Sequence, residues 1–202
     1  MVYPYGLSIR YSKHRELLDL IASWAILTIA FSMRAIVRGE YILVPAYALA
    51  VLLGFLFHEI AHRNAARKLG VYATYRAWYL GLLFALLLGI ATQGRFLIAA
   101  PGAVEIYMPW YDPVIAGVIA MWGPLTNIVI AIIAIPLTYL GGIAKYYAIV
   151  IGYVNAFLAF FNLLPIPPLD GYKVFRYSIT RWIILFLAAI TLVVMYITEI
   201  FM

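Results

Sequence analysis

Apolar residues in this chain come in long blocks separated by short polar stretches. Leu17–Val37 is the first block long enough to cross a bilayer, which takes about 20 residues. Tyr41–Ile60 is the second. It is apolar through Phe57 and then turns polar, with Arg63, Arg67 and Lys68 marking an interface and Gly70 placed to cap the helix. Pro113–Leu140, Ala144–Leu164 and Thr180–Phe201 are three more blocks of helical length. Trp78–Thr92 is apolar but short, a length typical of buried or re-entrant segments. Residues 95–108 carry β-branched and aromatic residues on both sides of Pro101-Gly102, which predicts two short extended pieces about a turn. The pattern as a whole predicts an all-α polytopic membrane protein of five or six transmembrane helices with a small membrane-associated β-hairpin or re-entrant segment. It holds no internal repeat and no soluble appended domain, so one domain over residues 1–202 is expected.

Composition narrows this further. Of 202 residues, 67% are hydrophobic and 11% charged, whereas soluble domains average about a quarter charged. Mean hydropathy is +1.01. A disordered chain, a coiled coil and an ordinary soluble enzyme are excluded, and the lipid bilayer becomes the main solvent. The formal charge is +6, but the basic residues sit between apolar runs. They therefore read as topology signals at a membrane surface rather than as a nucleic-acid surface. There is no cysteine, so a metal would have to use His, Asp or Glu. Residues 1–16 have no apolar core, and a cleaved signal peptide is not expected.

The basic residues also bear on the number of crossings. If Trp78–Thr92 crosses, Lys and Arg divide 8 against 6 between the two faces, almost without bias. If it dips in and returns, they divide 11 against 3, a positive-inside pattern with a cytoplasmic N-terminus and an external C-terminus. Only the five-crossing arrangement also puts His62 and Asp170 near the same membrane face.

Two of the three histidines bracket a glutamate, as His58-Glu59-Ile60-Ala61-His62. Positions four apart share a helix face, so both imidazoles can reach one metal. Zinc takes such ligands with a carboxylate and leaves a position open for water. Glu59 lies beside that face and is placed to take the water's proton. His14, Glu16, Asp19, Glu40 and Glu199 flank spans, where charges ordinarily sit. Glu105 and Asp112 lie in or after the irregular segment. Asp170 follows Pro165, Pro167 and Pro168 in broken backbone, where a carboxylate usually faces a polar cavity. It is the best third ligand, and a plain helix N-cap before Gly171 is its alternative.

These residues resemble the site-2 protease family of intramembrane zinc metalloproteases. That family joins HExxH to a later NxxPxPxLDG-type motif, here Asn162 to Gly171, and Gly123-Pro124-Leu125-Thr126-Asn127 is similar to its intervening G-P-x-x-N element. The resemblance covers residues 40–175, the expected catalytic core. It implies that His58, His62 and Asp170 ligate one zinc per chain, that Glu59 is the general base, and that Asn162 hydrogen-bonds the substrate carbonyl or oxyanion. Asn127 fits a substrate contact or an interhelical bond equally well. The implied substrate is a transmembrane protein, cut within or near its transmembrane segment. The competing reading is a metal-ion transporter or channel built on the same His/Glu/Asp cluster. Oligomeric state is not legible. For the segment around 96–105, the expectation is a short hairpin beside the metal with one open edge, onto which an unwound substrate adds as a strand.

Overall fold

The computed structural model describes residues 13–94, 102–108 and 111–201. The first span is α1 (Lys13–Val37). The second opens with one tight turn at Tyr41–Leu43 and continues as α2 (Val44–Val51). It widens into a π turn at Leu52–Leu56 and ends as α3 (Phe57–Lys68). Gly70, at φ +74°, supplies the left-handed residue that stops it. Strand β1 (Tyr72–Ala77), helix α4 (Tyr79–Ala91) and strand β2 (Gly102–Tyr107) follow. Asp112 then caps α5 (Pro113–Ala134) by accepting from the Val114 and Ile115 amides, with Pro113 ready-made for the first turn. Next come α6 (Ile143–Asn162), α7 (Asp170–Tyr177) and α8 (Ile179–Phe201).

Among the described residues, five helices are long and apolar enough to cross a membrane: α1, the continuous Tyr41–Lys68 segment, α5 with its last turn to Tyr139, α6 and α8. α5 and α6 pack together at the centre, with α2 and α8 on α6 and with α3 and α7 on α5. Their contact is built from Ala120, Ala131, Ala134, Ala156 and Ala159. Small side chains let helix backbones approach where lipid supplies no hydrophobic drive. The Tyr196 hydroxyl donates to the Ala131 carbonyl at 2.6 Å and so ties α8 to α5.

α4 is the short apolar helix. At 13 residues it reaches only about 20 Å, short of the roughly 30 Å hydrocarbon core. It starts where the Tyr79 hydroxyl donates to Asp19 and ends near Gly94, which packs on Arg34 at the far end of α1. Gly102 is again opposite Ala77. The end of β1 and the start of β2, on either side of this segment, therefore lie together.

The expected strand over 103–107 is present as β2. Its partner is β1, antiparallel, with Tyr72 opposite Tyr107 and Ala77 opposite Gly102. The other expected arm, 96–100, lies outside the described residues. The sheet therefore encloses α4 between its strands.

Candidate active site

The polar end of the second span delivers the ligands. His58 and His62 lie one turn apart on α3, and both are buried. The Pro-rich break after α6 brings the chain back so that Asp170, the first residue of α7, faces them. Asp170 Oδ2 lies 2.9 Å from His62 Nε2 and 3.2 Å from His58 Nε2. The two Nε2 atoms are 2.9 Å apart. Among the described residues, these three form the cluster of His, Asp and Glu donors close enough to share a metal ion.

Hydrogen bonds on the other side of each ring settle what these atoms are. His62 Nδ1 is 2.8 Å from the Ile119 carbonyl, which only accepts, so Nδ1 carries a proton, and in the neutral imidazole Nε2 keeps the lone pair. The Asn127 amide nitrogen donates to the Gly54 carbonyl at 2.9 Å and to Asn155 Oδ1 at 3.2 Å, which turns its Oδ1 toward His58 Nδ1 at 2.5 Å. His58 Nδ1 must then donate, and in the neutral ring its Nε2 keeps the lone pair as well. Burial of Asp170 favours its neutral acid, but the charges facing it, the Lys173 ammonium among them, override this and hold the carboxyl well below the usual carboxylate range. With both imidazoles neutral, two nitrogen lone pairs and a carboxylate oxygen converge on one point. That donor set fits a divalent cation of intermediate softness. Lys173 Nζ meets the other oxygen, Oδ1, at 3.3 Å and leaves Oδ2 for the metal.

Gly123 on α5 belongs to the same design. A Cβ there would run into Nε2 of both histidines. The Gly123→Ala variant should therefore lose metal although it replaces none of His58, His62 and Asp170, and although alanine is ordinarily the better helix former by about 1 kcal/mol. Asn127→Ala frees His58 to rotate and should weaken metal binding about 10–100-fold. Competition with a chromophoric chelator measures both, and unchanged affinity in either variant would refute this account of the histidine geometry.

Glu59 is buried beside His58, with the main chain of Val104 against its carboxylate and no hydrogen-bond partner for Oε2 among the described residues. It opens on a cavity of about 130 Å³ that His58, Gly102, Val104, Asn162 and Lys173 also line. Asn162, the last residue of α6, donates one amide hydrogen to the Leu158 carbonyl at 3.0 Å and lines the cavity. The remaining candidates lie elsewhere. Asp112 caps α5, Glu105 pairs with Arg76 at 3.4 Å, and His14 sits near the start of α1.

Three features escaped the sequence reading. Asn155 donates to the Ile151 carbonyl and, at 3.4 Å, to that of Ala50, next to the π turn. An amide in the middle of an apolar helix was its signal. Glu16 and Asp19 hold β1, and β1 itself was advertised by the β-branched and aromatic residues after Gly70.

Comparison with known proteins came out as follows. The profile of Peptidase family M50 matches residues 141–201. Two proteins that carry the name "Putative zinc metalloprotease" are similar to this chain. The one from Methanocaldococcus jannaschii is 39% identical over 178 residues, covering 87% of this chain and 90% of that protein. The one from Bacillus subtilis is 28% identical over 152 residues, covering 65% of this chain and 68% of that protein. No solved structure matches the chain.

Proposed function

The chain belongs to peptidase family M50, the site-2 protease family, and on that premise we propose that it is an intramembrane zinc metalloprotease that cuts other proteins within or near a transmembrane segment. The observation that carries this reading is the convergence of His58, His62 and Asp170 beside Glu59, in a cavity at the end of a membrane-spanning helix.

His58, His62 and Asp170 would hold one zinc per chain. When bound, zinc supplies Lewis acidity toward water and the peptide carbonyl. Glu59 takes the proton of the attacking water and passes it to the leaving amine. Its burial and its Oε2 without a partner suit a group whose bonds are made during the reaction. Asn162 donates its second amide hydrogen to the carbonyl oxygen as charge develops there.

A helical substrate hides its carbonyls in its own hydrogen bonds and must unwind first, so residues of poor helix propensity near the cut are expected. β2 offers compensation. Its outer edge faces the cavity, and no further strand pairs with it among the described residues. An unwound segment adding there regains main-chain bonds worth about 1 kcal/mol each.

Mass spectrometry tests the activity. A transmembrane peptide incubated with the purified protein should be cut inside or beside its apolar stretch. A zinc chelator should abolish the cut and added zinc restore it. Metal uptake into proteoliposomes without cleavage would overturn the reading in favour of a transporter.

The orientation proposed is a cytoplasmic N-terminus, a catalytic centre near the cytoplasmic face and an external C-terminus. Arg10 and Arg95 lie outside the described residues, and without them the basic residues divide 9 against 3, still a clear bias. Reporter fusions should place the two termini on opposite sides, and both on one side would refute it.

A further inference from the structure

Asp19 lies inside the first span and is 6% exposed. A carboxylate at such a position is costly unless it serves a partner. Its Oδ2 accepts the Ala77 backbone N–H at 3.2 Å, and its Oδ1 accepts the Tyr79 hydroxyl at 2.6 Å. One turn earlier, Glu16 Oε1 accepts the Tyr75 backbone N–H at 3.1 Å and the Arg63 guanidinium at 3.2 Å. Ser23 meets the Tyr75 hydroxyl at 2.9 Å. Positions 16, 19 and 23 form one stripe along α1, and all three hold the same strand.

The register shows what this does to the sheet. Tyr75 faces Val104 and Ala77 faces Gly102. The amides of Tyr75 and Ala77 point to α1, so these are non-hydrogen-bonded pairs. The main-chain groups of Val104 and Gly102 must then also point outward, away from β1. Gly102, Val104 and Ile106 line the catalytic cavity. Of the two sheet edges, one is therefore closed by the carboxylates of α1 and the other faces the catalytic centre.

We propose that Glu16 and Asp19 are positioning residues that latch the outer edge of β1 to the first helix, so that an incoming substrate strand pairs on β2 alone and in one register over the catalytic centre. The proposal rests on the reading that substrate adds to β2 as a strand. Through Arg63, the neighbour of His62, Glu16 also ties the sheet to the helix that carries the site. Backbone pairing recognises alternate amides of an extended segment and not its side chains. The latch thus determines where the cut falls more than which sequence is cut. Without it the sheet shifts, and substrate slips by two residues, the step that preserves the facing of a strand.

The experiment uses the full chain in detergent with a transmembrane peptide and reads KM, kcat, zinc content and the cut position. Glu16→Ala and Asp19→Ala should raise KM about tenfold, the order expected when a buried donor loses its acceptor. Zinc content and kcat should stay near those of the parent, and secondary cuts should appear two residues from the main one. Glu16→Gln and Asp19→Asn keep an acceptor oxygen and should restore most of the affinity and the single cut. A substrate series with single amides replaced by esters tests the underlying reading, because an ester removes one N–H. In the parent protein, esters at alternate positions should raise KM. If esters act in this way but both alanine variants keep the parental KM and a single cut, the latch is wrong while strand addition stands. If no ester alters KM in the parent, strand addition fails and the latch falls with it. Hydrogen exchange on the unaltered protein covers the case of alanine variants that do not fold. The Tyr75 and Ala77 amides should be protected at all times, and the outward amides of Gly102 and Ile106 should gain protection only when a substrate-like peptide is bound. Fast exchange at Tyr75 and Ala77 would overturn the proposal.

Discussion

Glu59→Gln should bind zinc at the parental stoichiometry while turnover falls by about 10²–10⁴-fold, the usual contribution of a positioned base. The substitution preserves the shape of the side chain and its place beside His58, and it touches none of the three converging donors. It removes the group able to hold a proton between the attack of water and the departure of the amine. KM should change little, because Glu59 stabilises the reaction and not the resting complex. Loss of zinc together with loss of turnover would make Glu59 part of the metal site. Full turnover would sink the mechanism. Both follow from metal analysis of the purified variant alongside single-turnover cleavage of a transmembrane peptide.

Asp170→Ala and His62→Ala should abolish both zinc binding and activity. Asp170 is the donor that arrives from a different helix, 2.9 Å from His62 and 3.2 Å from His58. Without it the two imidazoles form an incomplete site, and the loss should exceed the about 10–100-fold that an outer hydrogen-bond partner is worth. His62→Ala removes a donor whose ring is already oriented by the Ile119 carbonyl. Zinc should also stabilise the parent protein against heat, as any ligand of the folded state does, and should give neither variant that protection. Stoichiometric zinc in Asp170→Ala would move the third ligand to another residue. Thermal unfolding with and without chelator, beside metal analysis, decides the matter.

Much of the molecule was legible in one dimension, because the relevant physics is local. A span shows itself as a run of apolar residues of the right length, and α1, α5, α6 and α8 lie close to the boundaries read from the pattern. The pairing of His58 with His62 follows from helical spacing alone, whatever surrounds the helix. Asp170 was singled out because Pro165, Pro167 and Pro168 break the backbone around it. The tertiary structure decided what depends on distant partners. The partner of β2 is β1, with a whole helix between the strands, and no turn signal encodes such a pairing. The tautomers of His58 and His62 are set by Asn127 and the Ile119 carbonyl, more than fifty residues away in sequence. Glu16 and Asp19 read as ordinary charges flanking a span until the Tyr75 and Ala77 amides are seen to need them. Periodicity reports which face of an element is apolar, whereas a polar side chain takes its role from whatever the fold places against it.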